Sequence, residues 1–157
     1  DNARMNDVIL YLIQHYSLET KTLVLLQATS PLRTDEDISS AITTYSTGSY
    51  TSVTTVRQVP NSFLKNCLVN DGYLRPIENS KYFNENRQSL PETFAPVGSV
   101  FVFKAQHFLE HNKIPTDHMG YVQINNERSI DIDDYASYET AHKYVINNRE
   151  IYEFKDK

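Results

Sequence analysis

A chain of 157 residues fits a single domain and is long enough to bury a core. With 39% hydrophobic and 22% charged residues it has the composition of an ordinary globular protein, without low-complexity tracts or like-charge blocks. A net charge of −5 argues against a general nucleic-acid binder, and no apolar run reaches the length of a membrane span.

Residues 3–16 place Met5, Val8, Ile9, Leu12, Ile13 and Tyr16 at helical spacing, which predicts a helix with one apolar stripe. "TLVLLQ" (22–27) is a short, almost continuous apolar run, the pattern of a strand covered on both faces in a parallel sheet. Thr34 then opens "TDED", a capping box with Asp37 at the position where Glu is more usual. The helix it starts should bury Ile38, Ala41, Ile42 and Tyr45. "SVTTVRQV" (52–59) is rich in β-branched residues and predicts another strand. "SVFVF" (99–103) and "YVQI" (121–124) predict two more, and a last helix over about 137–148 carries Tyr138, Ala141 and Val145 on one side. Strands alternating with helices imply an α/β fold with a mainly parallel sheet.

Residues 60–98 break that rhythm. They hold four of the six prolines and an "NDG" hairpin turn at Asn70–Gly72. A stretch this long is read as a functional excursion, such as a lid, a substrate loop or a dimer arm; the plain alternative is a surface insertion. The four glycines (48, 72, 98 and 120) form no cluster, so a phosphate-cradling glycine-rich loop is missing. Either the protein binds no nucleotide, or these residues are the back part of something larger. Cys67 is the only cysteine, which excludes an internal disulfide and makes a reducing cytoplasm the expected location. His107 and His111 stand four apart but lack a carboxylate partner, so they are expected on the surface rather than on a metal.

The chemistry concentrates in two stretches. In "SIDIDDY" (129–135), Asp131 and Asp133 alternate with Ile130 and Ile132. An extended segment would put both acids on one face with Cα atoms roughly 6.5–7 Å apart. Mg²⁺ takes one or two carboxylates and completes its shell with water and phosphate, so the pair is a candidate metal site. A solvated strand end, with Asp134 capping the next helix, is the competing reading. In "LLQATSPLRT" (25–34), a strand runs into a loop and a capped helix, placing Gln27, Thr29, Ser30 and Arg33 where open α/β sheets bind ligands. Gln27 offers a donor and an acceptor, and Arg33 can fork onto a carboxylate or phosphate.

"LLQATSPLR" resembles the "LLQPTSPLR" signature of the acylneuraminate cytidylyltransferases, which make CMP-sialic acid and related CMP-nonulosonates. "RQSLPETFAPVGSVFVF" (87–103) and "SIDIDDYASYE" (129–139) resemble two further motifs of that family in the same order. The resemblance implies a Rossmann-like, three-layer nucleotidyltransferase fold, with residues 60–96 in the place of the excursion that builds a homodimer. It implies Mg²⁺-dependent transfer of CMP from CTP to the anomeric hydroxyl of a sialic acid-type sugar, releasing pyrophosphate. Asp131 and Asp133 match the metal-holding aspartates. Gln27 and Arg87 match positions associated with the sugar acid, Lys65 aligns with a substrate-contacting lysine, and Phe101 stands for an aromatic residue near the sugar. Ser30 and Arg33 lie within the first motif. Ala28 and Val97 depart from the usual Pro and Asn, and the family's "ARGGSKG" loop has no match. The chain is therefore expected to be the rear two-thirds of such a domain. The alternative is a catalytically silent, dimerising α/β fragment that has lost CTP binding.

Overall fold

A computed structural model of the protein describes residues 4–152. The chain divides into two compact units, one formed by residues up to Val56 and from Pro96 onward, the other by Arg57–Ala95. The helices are α1 (Met5–His15), α2 (Asp35–Thr47), α3 (Lys81–Asn84), α4 (Ala105–His111), α5 (Tyr135–Asn147) and α6 (Arg149–Tyr152). The strands are β1 (Thr22–Leu25), β2 (Ser52–Val59), β3 (Cys67–Asn70), β4 (Tyr73–Pro76), β5 (Thr93–Lys104) and β6 (Met119–Gln123).

Four strands form the main sheet in the order β1-β5-β2-β6. β2 and β6 run parallel, whereas β1 runs antiparallel to β5 with Leu25 opposite Phe101. The sheet is thus mixed within the expected α/β arrangement, compatible with a Rossmann-like fold. Alternation along β5 explains the layering. Phe101 and Phe103 pack with Ile9, Ile13, Ala105 and Phe108 from α1 and α4, while Val100 and Val102 pack with Ala41 and Val53 on the side of α2. β2 places Ser52, Thr54 and Thr55 inside the sheet, fully buried. Their hydroxyls are satisfied there: Ser52 donates to the Pro115 carbonyl at 2.6 Å, Thr54 to the Val100 carbonyl at 3.2 Å, and Thr55 pairs with Ser99 at 2.7 Å.

β1 departs from its prediction. It is an edge strand, and its exposure alternates instead of vanishing. Leu23 and Leu25 face the α1 side, but Val24 remains 38% exposed. Ile42 of α2, expected on the buried face, is also exposed, as is Tyr138 of α5. Thr34 does form the predicted capping box: its hydroxyl accepts from the Asp37 amide, and the Asp37 carboxylate accepts from the Thr34 amide at 2.9 Å. At the far end of α2, the Tyr50 ring lies over two glycines. A Cβ on Gly48 would come within 2.2 Å of the ring and one on Gly120 within 2.8 Å.

The smaller unit contains the predicted hairpin. β3 and β4 pair antiparallel across Asp71 and Gly72, which both have positive φ (52° and 78°), as a primed two-residue turn requires. Among the described residues, no helix is long and apolar enough to cross a membrane.

Phe103 is fully buried with its ring 6.0 Å from that of Phe108. Phe103→Ala should lower the unfolding free energy by about 3–5 kcal/mol, read from the urea midpoint at unchanged slope.

Candidate functional site

The end of β1 and the stretch after β6 meet. The Ile132 amide donates to the Thr29 carbonyl at 2.8 Å, which lays "SIDIDD" against the loop that follows β1. Exposure alternates through the segment, with Ile130 and Ile132 half-buried and Asp131 and Asp133 exposed. Ile132 lines a hollow of about 270 Å³ with Pro31, Leu32, Ala141 and Val145. Asp134 caps α5: its carboxylate accepts from the Ser137 amide at 2.8 Å and from the Ser137 hydroxyl at 2.7 Å. Those bonds hold the Asp134 carboxyl below its usual range.

The carboxylates of Asp131 and Asp133 have no hydrogen-bond or ion-pair partner among the described residues, nor do three His, Cys, Asp or Glu side chains gather there to enclose a metal. This donor set does not suit a structural zinc, which needs four protein ligands. It suits a cation that takes one or two carboxylates and draws its remaining oxygens from water and phosphate, as Mg²⁺ does.

The loop after β1 is held by its own side chains. Arg33 Nη1 donates to the carbonyls of Gln27 (2.6 Å) and Ser30 (2.8 Å). Ser30 is buried, and its hydroxyl donates to the Val97 carbonyl at 3.5 Å. Val97, at the position where the family motif has Asn, lies in the core. Gln27 is half-buried, with Nε2 directed at Met5 Sδ (3.4 Å) and Oε1 seated on Gly98. A Cβ at residue 98 would stand 2.1 Å from that oxygen, and Gly98 has a φ of +77°, so both the space and the backbone angle call for glycine. Phe101 is half-buried and packs on the α1 side of the sheet.

Arg87 and Lys65 belong to the smaller unit. Lys65 Nζ donates to the Glu85 carbonyl at 2.5 Å. Arg87 is exposed, and among the described residues its guanidinium has no partner; Asn61 Nδ2 holds its carbonyl at 3.1 Å.

Two residues outside the sequence-based site belong to this neighbourhood. Arg128 Nη1 donates to Asp37 Oδ2 at 2.5 Å and to Thr34 Oγ1 at 3.2 Å. Burial opposes the charge of Arg128, but the hydrogen bond and the charge of Asp37 outweigh it and raise the guanidinium's pKa above its usual value. A cation directly ahead of the "SIDIDD" acids was visible in the sequence; its partner, 91 positions upstream, was not. A separate hollow of about 540 Å³ opens on the α2 side of β1, lined in part by Tyr45, Tyr50, Lys104 and His107, and contains none of the predicted site residues. His107 is half-buried there, with Nδ1 unpartnered among the described residues, which corrects its expected place on the surface; His111 is exposed as expected.

No family model matches the chain. It is 23% identical over 148 residues to post-translational flagellin modification protein B of Campylobacter coli, an alignment that covers 94% of this chain. The chain spans 62% of that relative's length.

Gly98→Ala should displace the Gln27 side chain and cost about 1–3 kcal/mol of stability through strain at positive φ. A shift of the Gln27 side-chain amide resonances together with a lowered urea midpoint is the expected result.

Proposed function

We propose that these residues form part of a Mg²⁺-dependent cytidylyltransferase that transfers CMP from CTP to the anomeric hydroxyl of a sialic acid-type nonulosonate, releasing pyrophosphate. The observation that carries this reading is the Ile132–Thr29 hydrogen bond, because it joins two of the three stretches that resemble the acylneuraminate cytidylyltransferases. The distant likeness to a post-translational flagellin modification protein supports a role linked to protein modification.

In this reading Asp131 and Asp133 hold the cation. When bound, Mg²⁺ offsets the repulsion between the anionic sugar and the triphosphate and stabilises charge on the phosphorus oxygens. Gln27, fixed on Gly98, orients the sugar through its amide, and Arg87 pairs with the sugar's carboxylate. Lys65 is the lysine that this reading assigns to substrate contact, and Phe101 is its aromatic residue for the sugar. Ser30 and Arg33 act through the loop: their bonds to Val97, Gln27 and Ser30 backbone carbonyls keep Gln27 in place. The glycine-rich grip on CTP has no counterpart among these residues and is assigned to chain outside them.

The second reading, a dimerising piece without catalysis, draws on the hairpin. Leu68, Val69, Tyr73, Leu74 and Ile77 are all at least 58% exposed, a density of apolar side chains that fits a contact with a second copy of the chain. A homodimer is compatible with both readings, and we assign the protein to the cytoplasm.

The full-length protein, given CTP, a nonulosonate and Mg²⁺, should release pyrophosphate and form the CMP-sugar; failure with every nonulosonate tried would leave only the silent reading. Asp133→Asn should reduce turnover by about a hundredfold or more while the circular dichroism spectrum stays unchanged. Arg87→Ala should raise KM for the sugar far more than KM for CTP, and an equal rise in both would remove Arg87 from the sugar.

A further inference from the structure

The segment that carries Asp131 and Asp133 has no regular secondary structure, yet three attachments fix it. At its centre the Ile132 amide meets the Thr29 carbonyl at 2.8 Å. At its end Asp134 becomes the cap of α5. At its start Arg128 reaches the first turn of α2 and binds both members of the capping box, Asp37 Oδ2 at 2.5 Å and Thr34 Oγ1 at 3.2 Å. This third attachment has a property the others lack. The Asp37 carboxylate accepts from Arg128 and from the Thr34 amide through the same oxygen, so the guanidinium finds its full set of acceptors only when the helix start is formed. The Arg128 and Asp37 side chains retain 19% and 6% of their exposure, so water competes little for the contact.

We propose that the Arg128–Asp37 ion pair is the positioning device for Asp131 and Asp133. It references the two exposed acids, through three residues of chain, to the same helix start that ends the Gln27–Thr34 loop. The pair touches no substrate itself. It sets where the acid segment begins, and the Ile132 bond then sets its height against the loop. The proposal rests on the assignment of a divalent cation to Asp131 and Asp133 made above.

The test uses the full-length protein and Mn²⁺ alone as the probe, followed by electron paramagnetic resonance, alongside amide exchange at Ile132. Wild type should bind Mn²⁺, and Asp131→Asn/Asp133→Asn should not. Arg128→Met should weaken Mn²⁺ binding about tenfold and speed exchange of the Ile132 amide by a similar factor, with amides of β2 and α4 unaffected. Arg128→Lys should recover part of both effects. If Arg128→Met proves unstable, Asp37→Asn, which keeps an acceptor for the Thr34 amide, should give the same local pattern. Unchanged Mn²⁺ affinity and unchanged Ile132 exchange in these variants would overturn the proposal, as would faster exchange spread evenly over the whole sheet. Absence of Mn²⁺ binding in wild type would instead overturn the metal assignment, and Ile132 exchange would still decide whether the pair places the segment.

Discussion

One backbone hydrogen bond, from the Ile132 amide to the Thr29 carbonyl, brings the two chemically suggestive stretches of this protein together. A single such bond contributes only about 0.5–1.5 kcal/mol net, too little to hold an irregular segment against the entropy of its chain. It works because its neighbours are already constrained. Ile132 is half-buried and lines a hollow shared by the loop and α5, Asp134 begins a helix, and Arg128 is tied to another helix start. The loop on the other side is braced by Arg33 and Ser30. The bond is the joint between two members that are each stiff already.

The acids of this region divide by environment. Asp37 is buried and paired with Arg128, and Asp134 is spent on a helix cap. Asp131 and Asp133 are left exposed, their carboxylates without a partner among the described residues. At the roughly 6.5 Å separation of an extended segment, two carboxylates in water repel by only about 0.6 kcal/mol, well below the stability of a folded domain. Repulsion of that size does not by itself demand a counterion for the fold to hold the pair.

Local chemistry was legible in the sequence, and pairing was not. Thr34 and Asp37 wrote the start of α2, and Asn70–Gly72 wrote the hairpin, because both signals lie within four residues. The alternation of Asp131 and Asp133 with two isoleucines likewise read through to the observed exposure. β1 misled because "TLVLL" reports how apolar the side chains are, not which strand lies beside them; an edge strand and a central one read alike. Ile42 misled for a related reason: helical spacing places it near Ala41, but it lines the open hollow beside Val24 and Tyr45 and stays 40% exposed. The tie between Arg128 and Asp37 left no periodic trace at all, since it depends on two chain segments folding onto each other.

The ring of Tyr50, lying across Gly48 and Gly120, carries a consequence for how this sequence can drift. While the aromatic side chain remains in place, neither glycine can gain even a methyl group without the ring shifting, because both would meet its atoms within 3 Å. Loss of the tyrosine releases both positions at once, and any larger residue that then settles at 48 or 120 bars its return. The three sites thus form a one-way gate in evolution, where the order of replacements matters as much as their identity.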